Sequence, residues 1–126
     1  MADSSLSISD QSGVHVVGFR DNSILDVLTI QKIGRELYEL VEKDGKLKIV
    51  LDFENVRFLS SQALGVLLTL KRKADKAGAA VVLARLRPEL ARVFKITNLD
   101  KMFAFFDSQD AALAHFGVQP AREEKK

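Results

Sequence analysis

The 126-residue chain has no cysteine, which excludes disulfides, thiolate metal sites and a cysteine nucleophile. Histidine is scarce: His15 and His115 are the only two, they lie far apart, and the scattered carboxylates show no metal-ligand spacing. No metal and no cofactor are therefore expected. Phosphate-cradling loops are missing as well, since neither G-x-x-x-x-G-K-[ST] nor G-x-G-x-x-G occurs. Charge of one sign is also lacking. Nineteen basic residues against 17 acidic ones leave a net charge of +2, and no basic cluster is interleaved with aromatics as on a nucleic-acid surface. The densest basic run, Lys71-Arg72-Lys73, shares its helix with Asp75 and Lys76 and reads as a solvated face. Apolar runs are too short to span a bilayer. The opening "MADSSLSISDQSG" has neither the positive nor the apolar region of a secretion signal. The expectation is a soluble, cytoplasmic protein with no membrane contact and no direct nucleic-acid partner.

What is present is a strong alternation of periods. Leu6 and Ile8 alternate with serines, Gly13 breaks the pattern, and "VHVVGFR" (Val14 to Arg20) is a β-branched strand; the two predict a hairpin around "DQSG". From Asp26 to Lys43 the period becomes helical, with Ile30, Ile33, Leu37, Leu40 and Val41 on one side. Asp44-Gly45 ends that helix. "KLKIVLDF" (Lys46 to Phe53) carries a continuous apolar run that suits a strand covered on both faces. "ENV" is read as a turn, after which Arg57 to Leu59 re-enters the core. From Ser61 to Ala77 the helical period returns, with Leu64, Leu67, Leu68 and Ala74 inward and Gly78 as the stop. "AAVVLARL" (Ala79 to Leu86) is a further buried strand. Pro88 opens a short helix carrying Leu90, Val93 and Phe94. "KMFAFF" (Lys101 to Phe106) is the last strand, and Asp107 or Ser108 caps a helix with Ala111, Ala112, Leu113 and Phe116. This order predicts one α/β domain over 1–117. It would have a mostly parallel mixed sheet of roughly four to five strands, an antiparallel N-terminal edge and about four helices. Residues 118–126 form a tail with almost nothing to bury, and flexibility is expected there.

In open sheets of this kind function collects at the carboxyl ends of strands. "NVRFLSSQALGVLL" (Asn55 to Leu68) places Ser60 and Ser61 at such an end, where a helix begins. A hydrolase nucleophile would sit in G-x-S-x-G, but Leu59 and Gln62 flank the pair and nothing local positions either histidine as base. No catalytic residue is expected. Asp52 ends a buried strand as a receiver phosphoacceptor does, yet the acidic pair and the lysine of that chemistry are absent, so it reads as a turn-initiating carboxylate. Two readings remain open for the serines. Either hydroxyl can cap the helix, and either can be phosphorylated where free amides and the helix dipole tolerate an anion.

On these residues the sequence resembles the STAS-domain family of bacterial anti-sigma factor antagonists. The family signature is an apolar strand ending in Asp-Ser-Ser/Thr-Gly-Leu-Gly and followed by an apolar helix, and the matching run is "VRFLSSQALGVLL". Leu64 and Gly65 match the Leu-Gly, and Ser61 falls on the serine that the family phosphorylates. Ser60 replaces the signature Asp, Gln62 the second Ser/Thr, and Ala63 the Gly. "LDFENVRFL" resembles the central strand and turn, and "RPELARVFKITNLDKMFAFFDSQDAAL" the C-terminal third. The resemblance implies a STAS-like fold and a partner-switching regulator that is a substrate and a ligand rather than an enzyme. It would bind a serine-kinase anti-sigma factor when unphosphorylated, release it on phosphorylation of Ser61 (Ser60 being the secondary candidate), and be restored by a PP2C-type phosphatase. The implied docking residues are Asn55, Arg57, Ser60, Ser61, Gln62 and Asp21. An unmodified scaffold in a signalling or transport complex is the alternative.

Overall fold

The computed structural model describes residues 6–20, 23–43 and 47–118. Strands β1 (Leu6–Gln11) and β2 (Val14–Phe19) form the expected hairpin. Its tight turn is closed by the Gly13 N–H donating to Asp10 Oδ1 at 2.8 Å. Parallel β4 (Lys48–Asp52), β6 (Ala80–Ala84) and β7 (Ala104–Phe106) follow, giving one five-stranded sheet in the order β1-β2-β4-β6-β7. Ile49, Val50 and Leu51 are fully buried because β4 lies mid-sheet with a core on each side. Ile49 and Leu51 join the larger core, whereas Val50 joins the smaller one with Val14, Val16, Val82, Ala112 and Leu113. Alternation along one strand thus feeds both layers.

The larger core is roofed by α1 (Val27–Lys43), α2 (Ser61–Ala77) and α3 (Pro88–Ile96), and the smaller by α4 (Gln109–His115). Asp26 caps α1, its Oδ2 accepting from the Thr29 N–H at 3.0 Å. Ile30, Ile33, Leu37 and Val41 form the buried stripe, with Leu40 half-buried at its margin. Gly34 completes the stripe: a Cβ there would meet Val66 at 3.4 Å, so glycine lets α1 and α2 approach closely. Gly78 ends α2 at φ 80°, the left-handed stop that an L-residue adopts reluctantly. Pro88 stands in the first turn of α3, and Ser108 caps α4, accepting from the Ala111 N–H at 3.0 Å. The proposed stop at Asp44-Gly45 and residues 119–126 of the expected tail lie outside the described residues.

Three expectations are corrected. The last strand covers only Ala104–Phe106, because Asn98 at φ 65° ends α3 and Leu99–Lys101 winds into a 3-10 turn. Local bonds from Lys101 N to Asn98 O and Met102 N to Leu99 O take up the backbone that a longer strand would use. Of Arg57 to Leu59, only Leu59 re-enters the core, half-buried against it. The preceding Val56 fills that role at 0% exposure, while Phe58 is 57% exposed. The reason is a second sheet of two short parallel strands, β3 (Ser23–Ile24) and β5 (Phe58–Leu59), which the element order did not include. Finally, Leu68 is only half-buried, and Leu70 and Ala63 complete the inner face of α2.

The basic run on α2 is partly neutralised. Lys71 pairs with Asp75, and Lys73 pairs with Glu42 while lying over the Tyr38 ring. Among the described residues no helix is long and apolar enough to cross a membrane.

Candidate functional site

The serine pair divides its duties by one residue of register. Ser60 has extended backbone and is the N-cap of α2: its Oγ accepts from the Ala63 N–H at 3.1 Å, and its carbonyl accepts from Leu64 N–H at 3.2 Å. Its own N–H donates to Ile24 O at 3.1 Å, which stitches the helix start to β3. Ser61 is the first helical residue, exposed and outside the cap. The first four amides of a helix lack internal partners. Ser60 donates its own to Ile24 O and its Oγ serves that of Ala63, which leaves the Ser61 and Gln62 amides for an external acceptor. The two open readings therefore part company, with capping on Ser60 and accessibility on Ser61. Replacing Ser60 by alanine is expected to cost about 1 kcal/mol of stability, whereas Ser60→Asp, an equally good cap, should keep the urea midpoint unchanged.

The segments beside the serine turn, from β3 into α1 and along β5, carry exposed apolar residues. Leu25 (53% exposed), Val27 (49%), Leu28 (74%) and Phe58 (57%) all face solvent. The β3–β5 pairing sets Ser23 against Phe58 and Ile24 against Leu59, so Leu25 and Phe58 flank the serine turn. Asn55, Arg57 and Gln62, three of the sequence-derived docking residues, are exposed on the same connection and helix start. Asp21 lies outside the described residues. Sequence reading places Phe58 in the core within Arg57 to Leu59 and names none of Leu25, Val27 and Leu28 as a docking residue. One signal was available: Leu28 falls off the Ile30–Ile33–Leu37–Val41 stripe, on the opposite side of α1.

Below this surface sits a polar cluster at the carboxyl ends of β4 and β6. Asp52 does initiate a turn, accepting from Glu54 N–H at 3.0 Å, but it does more. It is the one buried charged residue among those described, at 8% exposure. Arg85 grips both carboxylate oxygens, through Nε at 3.1 Å and Nη2 at 2.5 Å, and Gln109 Nε2 adds a bond at 2.9 Å. The same Arg85 Nη2 reaches Glu54 Oε1 at 2.9 Å, and Arg87 Nη2 donates to the Glu54 carbonyl at 3.1 Å. A 33-residue separation hid the Asp52–Arg85 pair from sequence reading. Burial pushes the Asp52 carboxyl up, but the bonds from Arg85, Glu54 N–H and Gln109, with the arginine charge, hold it below its ordinary value of 3.8.

A carboxyl depressed in the folded state stabilises the fold above its unfolded value, and that contribution is lost as pH falls through the folded value. Wild type is therefore expected to lose stability more steeply than Asp52→Asn below roughly pH 4. Between pH 5 and 7 the gap between them should stay constant, as urea titrations at each pH would show.

His15 lies in β2, and exposed His115 ends α4 between the rings of Phe106 and Phe116, each at 5.1 Å. Neither is hydrogen-bonded to Ser60 or Ser61 among the described residues, where no group of three His, Cys, Asp or Glu could hold a metal ion either.

Comparison with known proteins places this arrangement. The family model for the STAS domain matches residues 5–112. An anti-sigma F factor antagonist of Paenibacillus polymyxa is 24% identical over 113 residues, covering 90% of this chain and 95% of its own length. The crystal structure of an anti-sigma factor antagonist from Mycobacterium paratuberculosis superposes with a TM-score of 0.71 at 27% identity, over 87% of this chain and 91% of that one. The phosphorylated form of SpoIIAA, a Bacillus cell fate determinant, shares the fold with a TM-score of 0.67 at 16% identity, over 88% and 98%. The match over residues 5–112, most of the chain, has one conclusion: this chain belongs to the STAS domain family.

Proposed function

We propose that this chain is an anti-sigma factor antagonist that works by partner switching. Unphosphorylated, it docks on a serine-kinase anti-sigma factor through the face around Ser61. That kinase then phosphorylates Ser61 and is released, and a PP2C-type phosphatase resets the cycle. The observation that carries this reading is the position of Ser61: exposed, free of the cap, and bordered by Leu25 and Phe58. An apolar patch of this kind marks a contact surface. A phosphate there adds about −1.5 to −2 charges and three acceptor oxygens. Docking would have to strip water from that anion, whereas the amides of Ser61 and Gln62 and the positive end of α2 stabilise it in the free protein. The anti-sigma factor antagonists among the relatives, and the existence of SpoIIAA in a phosphorylated form, support the same reading.

Ser60 for the signature Asp keeps the capping oxygen, so this departure leaves the helix start intact. A shallow groove of about 320 Å³ between α1 and α2, lined by Gln31, Gly34, Tyr38, Gln62 and Val66, extends the docking face beyond the patch. The test is incubation with the cognate kinase and ATP followed by mass-spectrometric mapping. One phosphate on Ser61 is expected. Modification confined to residues other than Ser60 and Ser61 defeats the assignment.

A further inference from the structure

The loop between β4 and β5, residues 53–57, carries Asn55 and Arg57 and delivers the chain to the serine turn. Phe53 and Val56 anchor it in the larger core at 0% exposure, and hydrogen bonds to the end of β6 and the connection that follows hold its backbone. Phe53 N–H donates to Ala84 O at 2.9 Å, Val56 N–H folds back to Phe53 O at 3.0 Å, and Arg87 holds the Glu54 carbonyl. Arg85 is the centre of this arrangement. It clamps buried Asp52 with two nitrogens and uses one of them again for the exposed Glu54 side chain. Gln109 braces Asp52 from α4, on the other face of the sheet.

We infer that Arg85 is a positioning residue for partner recognition, tethering the β4–β5 loop through Asp52 and Glu54 so that it presents Asn55, Arg57 and Ser61 in a docking-ready shape.

A bond that merely satisfies Asp52 would not need the extra arm to Glu54, whose side chain is 57% exposed. The backbone points the same way. Arg85 sits at φ 56°, in the left-handed region, where glycine is the undemanding choice. Strain of this sort persists where surrounding contacts over-determine it. Here those contacts are the Arg85 N–H to Phe106 O at 3.0 Å and the two carboxylates. The consequence is that the shape of the docking face is set by residues of the β6–α3 connection and of α4, which lie outside the serine turn itself.

This inference rests on the docking reading above, and the experiment separates the two. Three variants of the full chain are compared: Glu54→Ala, which cuts only the loop arm; Arg85→Lys, which keeps the charge and the backbone strain but not the fork; and Arg85→Ala. Amide exchange in the free protein is measured first. In Glu54→Ala and Arg85→Lys, exchange at residues 54–59 should rise about three- to tenfold while the interiors of β6 and α2 stay as in wild type. Phosphorylation by the cognate kinase is measured next, and KM should rise by a similar factor with kcat unchanged within about twofold. Exchange that is unchanged at the loop, or that rises uniformly with the loss of global stability, overturns the tether. So does a faster-exchanging loop with unaltered KM. A wild-type chain that no kinase engages would overturn the docking reading, whereas exchange in the free chain judges the tether independently of it.

Discussion

Replacing Phe53 by alanine is expected to lower the unfolding free energy by about 3–5 kcal/mol, as a fully buried phenylalanine truncated without collapse of its surroundings does. Phe53 is 0% exposed and follows β4 directly. Its ring lies 4.9 Å from that of Phe19 on β2 and 6.2 Å from that of Phe94 on α3, the latter edge-on. Phe94 in turn meets Phe105 of β7 at 5.7 Å. One deletion therefore breaks a line of aromatic contacts across the full width of the larger core. Domains of this size are stable by about 5–15 kcal/mol, so the variant should be left marginal, with a urea midpoint far below wild type. Phe53→Leu, which keeps most of the volume, should cost about 1.5 kcal/mol or less. Similar small losses for both variants would refute the packing described for this residue.

The second large effect concerns binding. Ser61→Ala should dock on the anti-sigma factor about as well as wild type, because the hydroxyl caps nothing and its removal leaves no buried polar group unsatisfied. Ser61→Asp should bind more weakly by about 1–3 kcal/mol, a factor of roughly 5 to 150. The carboxylate would have to be desolvated between Leu25 and Phe58, which offer it no hydrogen bond. It carries less charge than a phosphate, so the true switch should exceed this value. The same substitution places an anion in the first turn of α2, which helps the helix by about 0.3–1 kcal/mol. Thermal stability should therefore hold steady or rise while affinity falls. Titration calorimetry and melting curves on the two variants check both halves, and equal affinities would remove the electrostatic basis of the switch.

The parts of this molecule that were legible in sequence are those governed by local rules. Ile49-Val50-Leu51 announced a strand covered on both faces, the 30–33–37–41 stripe announced α1, and Gly78, Pro88 and Ser108 marked helix ends where they occur. What escaped depends on tertiary context. A two-residue strand such as β5 has no period to detect, and it exists only because β3 lies alongside it. Phe58 and Leu25 have the composition of core residues, and only that small outlying sheet leaves them at the surface. The Asp52–Arg85 pair joins the ends of neighbouring strands whose partners lie 33 residues apart in sequence. At the site itself the choice between Ser60 and Ser61 as cap turned on a single residue, finer than helix boundaries can be read from sequence. The resemblance implies modification at Ser61, and the geometry leaves that residue exposed and outside the cap.

The two long helices also give the molecule a practical polarity. Helix α2 runs 17 residues from Ser61 to Ala77, a rise of about 25 Å. A dye or surface linkage attached at Lys76 would thus stand a full helix length away from the serine. Docking and release could be followed by tumbling rate or surface mass with the attachment clear of the contact, and Lys76 is already exposed.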